Sequence, residues 1–155
     1  MPALRAGVTA HGLLAGAALP AGAEEAPRRV VSMNLCTDQL AMLLAGEDQL
    51  ISVSHLARDP RSSAMTAEAA AYPANNGLAE EIYLMQPDLV LAGRYSALAT
   101  VDMLRRLGIR VEQFDPASGL DQVPERMARM GELLHREDSA AEQIAAFEQR
   151  LAGFR

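Results

Sequence analysis

The chain has 155 residues, half of them apolar, which is enough for one modest domain with its own core and excludes a disordered chain. Its formal net charge is -6 and every cation is an arginine, so the basic surface expected of a nucleic-acid-binding protein is excluded.

The first 23 residues have the pattern of a secretory signal peptide. A cation, Arg5, precedes the apolar stretch 6–19, and an A-x-A site follows at 21–23. The pattern predicts export, with a mature chain whose net charge changes from -6 to -7 because Arg5 is lost. A disordered leader or a short membrane anchor is the alternative, although the stretch is shorter than the ~20 residues of a spanning helix. The single cysteine, Cys36, forms no internal disulfide.

Apolar runs and helical spacing alternate along the first half of the mature chain. The run 30–33 predicts a buried strand, and Asn34 or Thr37 is suited to cap the helix that follows. A second strand is predicted over 50–53. From there to the turn signal at 75–77 the chain is polar or alanine-rich, which predicts a long loop of the kind that is usually functional or disordered.

The second half continues the alternation. A helix is predicted to start near Leu78 and to stop before Pro87, and the apolar run 89–92 predicts the next strand. The segment IRVEQF, 109–114, alternates between apolar and polar residues, which predicts an edge strand with one solvated face. Further helices are predicted over 97–107, 120–134 and 139–154.

This order of elements predicts an α/β fold with a short parallel sheet flanked by helices. In open α/β sheets, ligands approach the carboxyl ends of the strands. The segments predicted at that edge of the sheet are 34–37, 54–58, 93–96 and 115–118.

Three blocks of the chain together resemble a known family. They are RRVVSMNLCTDQLAMLLAGEDQLISVS, GLAEEIYLMQPDLVLAGRY and LRRLGIRVEQFDPASGLDQVPERM. In this order they resemble the N-terminal lobe of the cobalamin and iron-siderophore group of periplasmic substrate-binding proteins, which serve ABC importers. The resemblance implies a monomeric, periplasmic, non-enzymatic binding protein with no resident cofactor. Its ligand would be a corrinoid or a chelated metal, and its partner an importer permease.

Proteins of that family have two α/β lobes joined by one long helix, with ligand held between the lobes. The resemblance therefore implies that residues 24–136 form the N-terminal ligand-binding lobe and 137–155 the start of the connecting helix, with the second lobe absent. Either the chain is a fragment of a longer protein or it is a truncated relative.

The resemblance also implies a set of ligand-binding residues at the predicted edge of the sheet. Arg94 is suited to pair with ligand carboxylates, and Tyr95 to stack on or coordinate a chelated metal. A solvated arginine and a half-buried tyrosine without a ligand are the equally open alternative. No cluster of His, Cys, Asp and Glu has metal-site spacing, so no directly bound metal is expected. The expected ligand-binding residues are Asn34, Leu35, Cys36, Thr37, His55, Arg58, Arg94 and Tyr95.

Cys36 and Glu80 each have a second interpretation. Cys36 lies where a strand is predicted to meet a helix, so it is also a candidate nucleophile, with His55 as its base, in a small exported thiol enzyme. Glu80 matches a family glutamate that docks onto the permease, although Glu81 is one alignment step away. A negative charge in a first helical turn also offsets the helix dipole without any partner. A weaker possibility is an interaction module that retains only the docking surface.

Overall fold

The computed structural model describes residues 25–154. The predicted signal peptide lies outside these residues. Within them, five parallel strands form one sheet in the order β3-β2-β1-β4-β5. The strands are β1 Val30–Ser32, β2 Leu50–Ser54, β3 Ala74–Asn75, β4 Leu89–Gly93 and β5 Val111–Phe114.

Among the described residues, six α-helices flank the sheet, so the predicted fold class is confirmed. Two 3₁₀ turns, His55–Arg58 and Leu120–Gln122, supplement the α-helices. The α-helices are α1 Leu35–Leu44, α2 Thr66–Ala69, α3 Ala79–Leu84, α4 Leu98–Arg106, α5 Val123–Leu134 and α6 Glu137–Ala152.

The central strands separate two apolar layers. Side chains alternate along a strand, so Val30 faces one layer and its neighbour Val31 the other, and both are fully buried. The first layer packs the sheet against α1, α5 and α6, and the second packs it against α3 and α4. Burial on both faces explains why these strands are rich in apolar residues, with small buried serines as their polar members. β5 lies at one edge of the sheet, as its alternating sequence predicts.

The predicted loop after β2 is the largest departure from expectation. It contains the 3₁₀ turn, α2 and β3, and β3 forms the second edge of the sheet by pairing with Val53 and Ser54. The Asn75 amide is fully buried and donates to Ser32 O at 2.8 Å and to Val53 O at 3.0 Å. β3 is therefore held in the sheet by hydrogen bonds to residues distant in the sequence. Its own two residues do not form the apolar run that would predict a strand.

Candidate functional site

The first predicted site segment is the junction between β1 and α1. Asn34 caps the helix, because its side-chain oxygen accepts from the backbone N–H of Cys36 at 3.0 Å. Leu35 packs partly against the core. Thr37 is fully buried, and its hydroxyl donates to Asn34 O at 2.9 Å and contacts Ser32 Oγ at 2.8 Å. The Thr37 side chain therefore bonds within the β1–α1 junction, and its expected place in a ligand cleft stays a prediction.

Cys36 is exposed at the start of α1. Among residues 25–154, no hydrogen bond joins its thiol to His55, which lies in the 3₁₀ turn after β2 and is also exposed. A nucleophilic thiol needs a base within hydrogen-bond reach that a third group orients. The structure therefore gives the thiol-enzyme interpretation no support.

Arg58 ends the 3₁₀ turn, but its guanidinium points back to the chain. Its Nε donates to Ala69 O at 3.3 Å, and a further nitrogen, Nη2, donates to Tyr72 O. These bonds tie the turn to the end of α2. These bonds engage two of the three guanidinium nitrogens, and Arg58 remains exposed, so its expected role in ligand binding stays a prediction.

Asp38 is a buried carboxylate that sequence reasoning missed. It lies in the first turn of α1, is fully buried, and accepts the backbone N–H of Ser54 at 3.0 Å and the Ser54 hydroxyl at 2.5 Å. Burial raises the pKa of Asp38 above its ordinary value of 3.8, and the hydrogen bonds from Ser54 oppose that increase. Asp38 therefore fixes the end of β2 against α1. It thereby also fixes the backbone position from which His55, the next residue, extends.

The loop after β4 carries Arg94 and Tyr95 beside the β1–α1 junction. A Cβ atom at Gly93 would lie 2.6 Å from Asn34 Nδ2, so glycine allows these two loops to touch. The backbone N–H of Arg94 donates to Phe114 O at 2.8 Å, and its side chain pairs with Asp115 at 3.1 Å. Tyr95 is 82% exposed, which leaves its ring available for stacking.

A largely apolar groove of about 330 Å³ lies between α1, α5 and the end of β5. It brings Cys36 together with residues from the predicted segment 115–118. Sequence reasoning identified that segment but not its partners on α5, because α5 approaches only in the folded chain. The groove is lined by Cys36, Gln39, Leu40, Leu43, Met65, Phe114, Asp115, Pro116, Ala117, Val123, Arg126 and Met127.

Glu80 and Glu81 are neighbours that differ in their hydrogen bonds. Glu81 accepts the backbone N–H of Asn76 at 2.8 Å and so holds the turn before α3. Glu80 is exposed, and within residues 25–154 its carboxylate accepts no hydrogen bond. Of the two, Glu80 is the carboxylate that remains available to a partner.

The described part of the chain lacks the features of two other kinds of site. Between residues 25 and 154, no helix is long and apolar enough to cross a membrane. In the same range, no group of three or more His, Cys, Asp or Glu side chains could hold a metal ion.

Comparison with known sequences gives one family. Residues 30–155 match the family described as periplasmic binding protein. A cobalamin-binding protein of Halobacterium salinarum is 33% identical over 127 residues, which are 81% of this chain and 34% of the relative. A vitamin B12-binding protein of Yersinia pestis is 29% identical over 134 residues, 86% of this chain and 46% of the relative. The chain thus spans between a third and a half of the length of these relatives.

Solved structures show the same fold at low sequence identity. The periplasmic vitamin B12 binding protein of Vibrio cholerae superposes with a TM-score of 0.66 at 20% identity, covering 82% of this chain and 49% of that one. A periplasmic haem binding protein of Pseudomonas aeruginosa superposes with a TM-score of 0.67 at 21% identity, covering 81% and 45%. The sheet with its flanking helices therefore corresponds to about half of each of these proteins.

Proposed function

Because the chain belongs to the periplasmic binding protein family, we propose that it forms the N-terminal lobe of a substrate-binding protein for an ABC importer. Its ligand is a corrinoid or an iron chelate such as a siderophore or haem. The related proteins of known ligand support this choice, since their names specify cobalamin, vitamin B12 or haem. The chain acts by binding and release rather than by catalysis.

The observation that carries the proposal is the groove at the carboxyl edge of the sheet. It is mostly apolar and open, and ligands of open α/β folds bind at this edge. Leu40, Leu43 and Met65 offer apolar contacts to the face or rim of a macrocycle. The exposed Tyr95 ring is suited to stack on a flat ligand. Asn34 and Leu35 directly precede Cys36, which lines the groove.

The proposal extends to partner and location. A periplasmic, monomeric protein would meet the importer through its permease, and Glu80 supplies an exposed, unpaired carboxylate for that contact within the described residues. Leu84, which is 79% exposed on the same helix, adds an apolar group nearby. An exposed charge beside an exposed apolar group is typical of the rim of a transient interface.

Titration calorimetry of the 155-residue chain with cyanocobalamin and with haem tests the ligand proposal. Leu43→Glu should weaken binding about tenfold or more, because a carboxylate placed against an apolar ligand face costs over ~1.4 kcal/mol. Leu43 is 36% exposed, so the variant should still fold. Leu84→Glu, on a different helix, is the matched control and should bind like wild type. Failure of wild type to bind either ligand would reject the proposal.

A further inference from the structure

One ion pair joins two loops of the candidate cleft. Arg94 follows β4 and Asp115 follows β5, and their side chains meet at 3.1 Å between Nη1 and Oδ1. The pair is held in place because Arg94 N–H donates to Phe114 O at 2.8 Å. Both side chains remain more than half exposed, at 65% and 55%, so an arriving ligand can reach them. Asp115 also lines the apolar groove.

The other arginines at this edge already have acceptors. Arg126, which lines the groove, donates to the backbone oxygen of Asp115 at 3.0 Å and pairs with Glu125 at 2.9 Å. Arg58 donates to backbone carbonyls near α2, and Arg61 pairs with Asp59 at 3.4 Å. Within residues 25–154, these three arginines therefore already donate to protein oxygens before any ligand arrives.

A ligand carboxylate gains little from such a surface. To reach Arg94 it must compete with Asp115, and the displaced Asp115 carboxylate then remains close to it as a like charge. A neutral amide of the same shape meets no such repulsion, and it can accept from Arg94 or donate to Asp115 while both stay paired. The Arg94–Asp115 pair therefore weakens the binding of a ligand with a negative charge at this point, but not of a neutral polar ligand.

We propose that Asp115 is a specificity-determining residue that disfavours carboxylate-bearing ligands and makes the cleft select neutral, amide-bearing corrinoids over haem and acidic chelates. This inference rests on the proposed function and narrows it. It assigns to Arg94 a different role from the one predicted from sequence. Arg94 holds Asp115 at the groove, and it is not an open anchor for ligand carboxylates.

The test uses two ligands that differ in one charge. The 155-residue chain is titrated with cyanocobalamin and with its monocarboxylic acid, in which one side-chain amide has been hydrolysed. Wild type should prefer the amide. Asp115→Asn should bind the acid roughly three- to fivefold more tightly than wild type does, the size expected of an exposed charge interaction, with little change for the amide. The gain should shrink at high salt.

Asp102→Asn is the matched control, because it makes the same change in net charge on the exposed surface of α4. It should leave the ratio of the two affinities unchanged. If wild type and Asp115→Asn show the same ratio, Asp115 does not select against charge, and the inference fails while the proposed function stands. If wild type binds neither corrinoid nor haem, the proposed function fails and the inference fails with it.

Discussion

The buried carboxylate of Asp38 gives the sharpest test of how the candidate site is built. In Asp38→Ala, the backbone N–H and the hydroxyl of Ser54 both lose their acceptor in an interior position. An unsatisfied buried donor costs about 1–3 kcal/mol, so two sum to about 2–6 kcal/mol. Removal of the buried charge offsets part of this cost. We therefore expect the free energy of unfolding to fall by about 2–4 kcal/mol.

Asp38→Asn separates the hydrogen bonds from the charge. Its amide oxygen can still accept from the Ser54 N–H, and its amide nitrogen can donate to the Ser54 hydroxyl oxygen. Because burial raises the pKa of Asp38, the folded state holds that proton more tightly than the unfolded chain does. This contribution to stability is fully present below about pH 3.8, and it is lost as the pH rises through the folded pKa. Asparagine does not titrate, so the variant should not show this loss.

Urea unfolding followed by far-ultraviolet circular dichroism measures both effects, since the chain has no tryptophan. Wild type and the two variants are compared at several values between about pH 4 and 8, and other carboxyl groups cancel in the differences. The reasoning is refuted if the wild-type and Asp38→Asn curves stay parallel over that range. It is also refuted if Asp38→Ala is as stable as wild type at neutral pH.

Much of the fold could be predicted because its central strands are buried on both faces. The run 89–92 is continuously apolar and the run 30–33 is apolar apart from Ser32 for that reason, and all the strands are parallel, so their carboxyl ends share one edge of the sheet. β3 could not be found this way. It has two residues, Ala74 and Asn75, and forms only because β2 and the Asn75 amide bonds hold it.

The chemistry of the site was harder to predict, because a sequence shows which groups are present and not which are already bonded. Thr37 and Arg58 lie at the predicted edge, where backbone oxygens accept from the Thr37 hydroxyl and from two nitrogens of the Arg58 guanidinium. Asp38 was missed because its burial depends on β2, which reaches it from 16 residues away in the sequence. The Arg94–Asp115 pair is different. Its residues follow β4 and β5, which are neighbours in the sheet, so their loops lie side by side. The sequence predicted both loops at this edge but not the order of the strands.

Two further predictions concern the lobe as a whole. A Cβ atom at Gly131 would lie 2.5 Å from the Cβ of Ala140, so Gly131→Val should push α5 from α6 and cost about 1–3 kcal/mol in urea unfolding, with partial rescue by Ala140→Gly. Glu80→Ala should lower retention on membranes that contain the cognate permease and leave ligand affinity unchanged, and the loss should shrink with salt because an exposed ion pair is screened. Glu81→Ala is the control for docking, since the Glu81 carboxylate already accepts from Asn76. Should all three proteins be retained equally, Glu80 would only offset the helix dipole, and its loss would cost about 0.3–1 kcal/mol of stability.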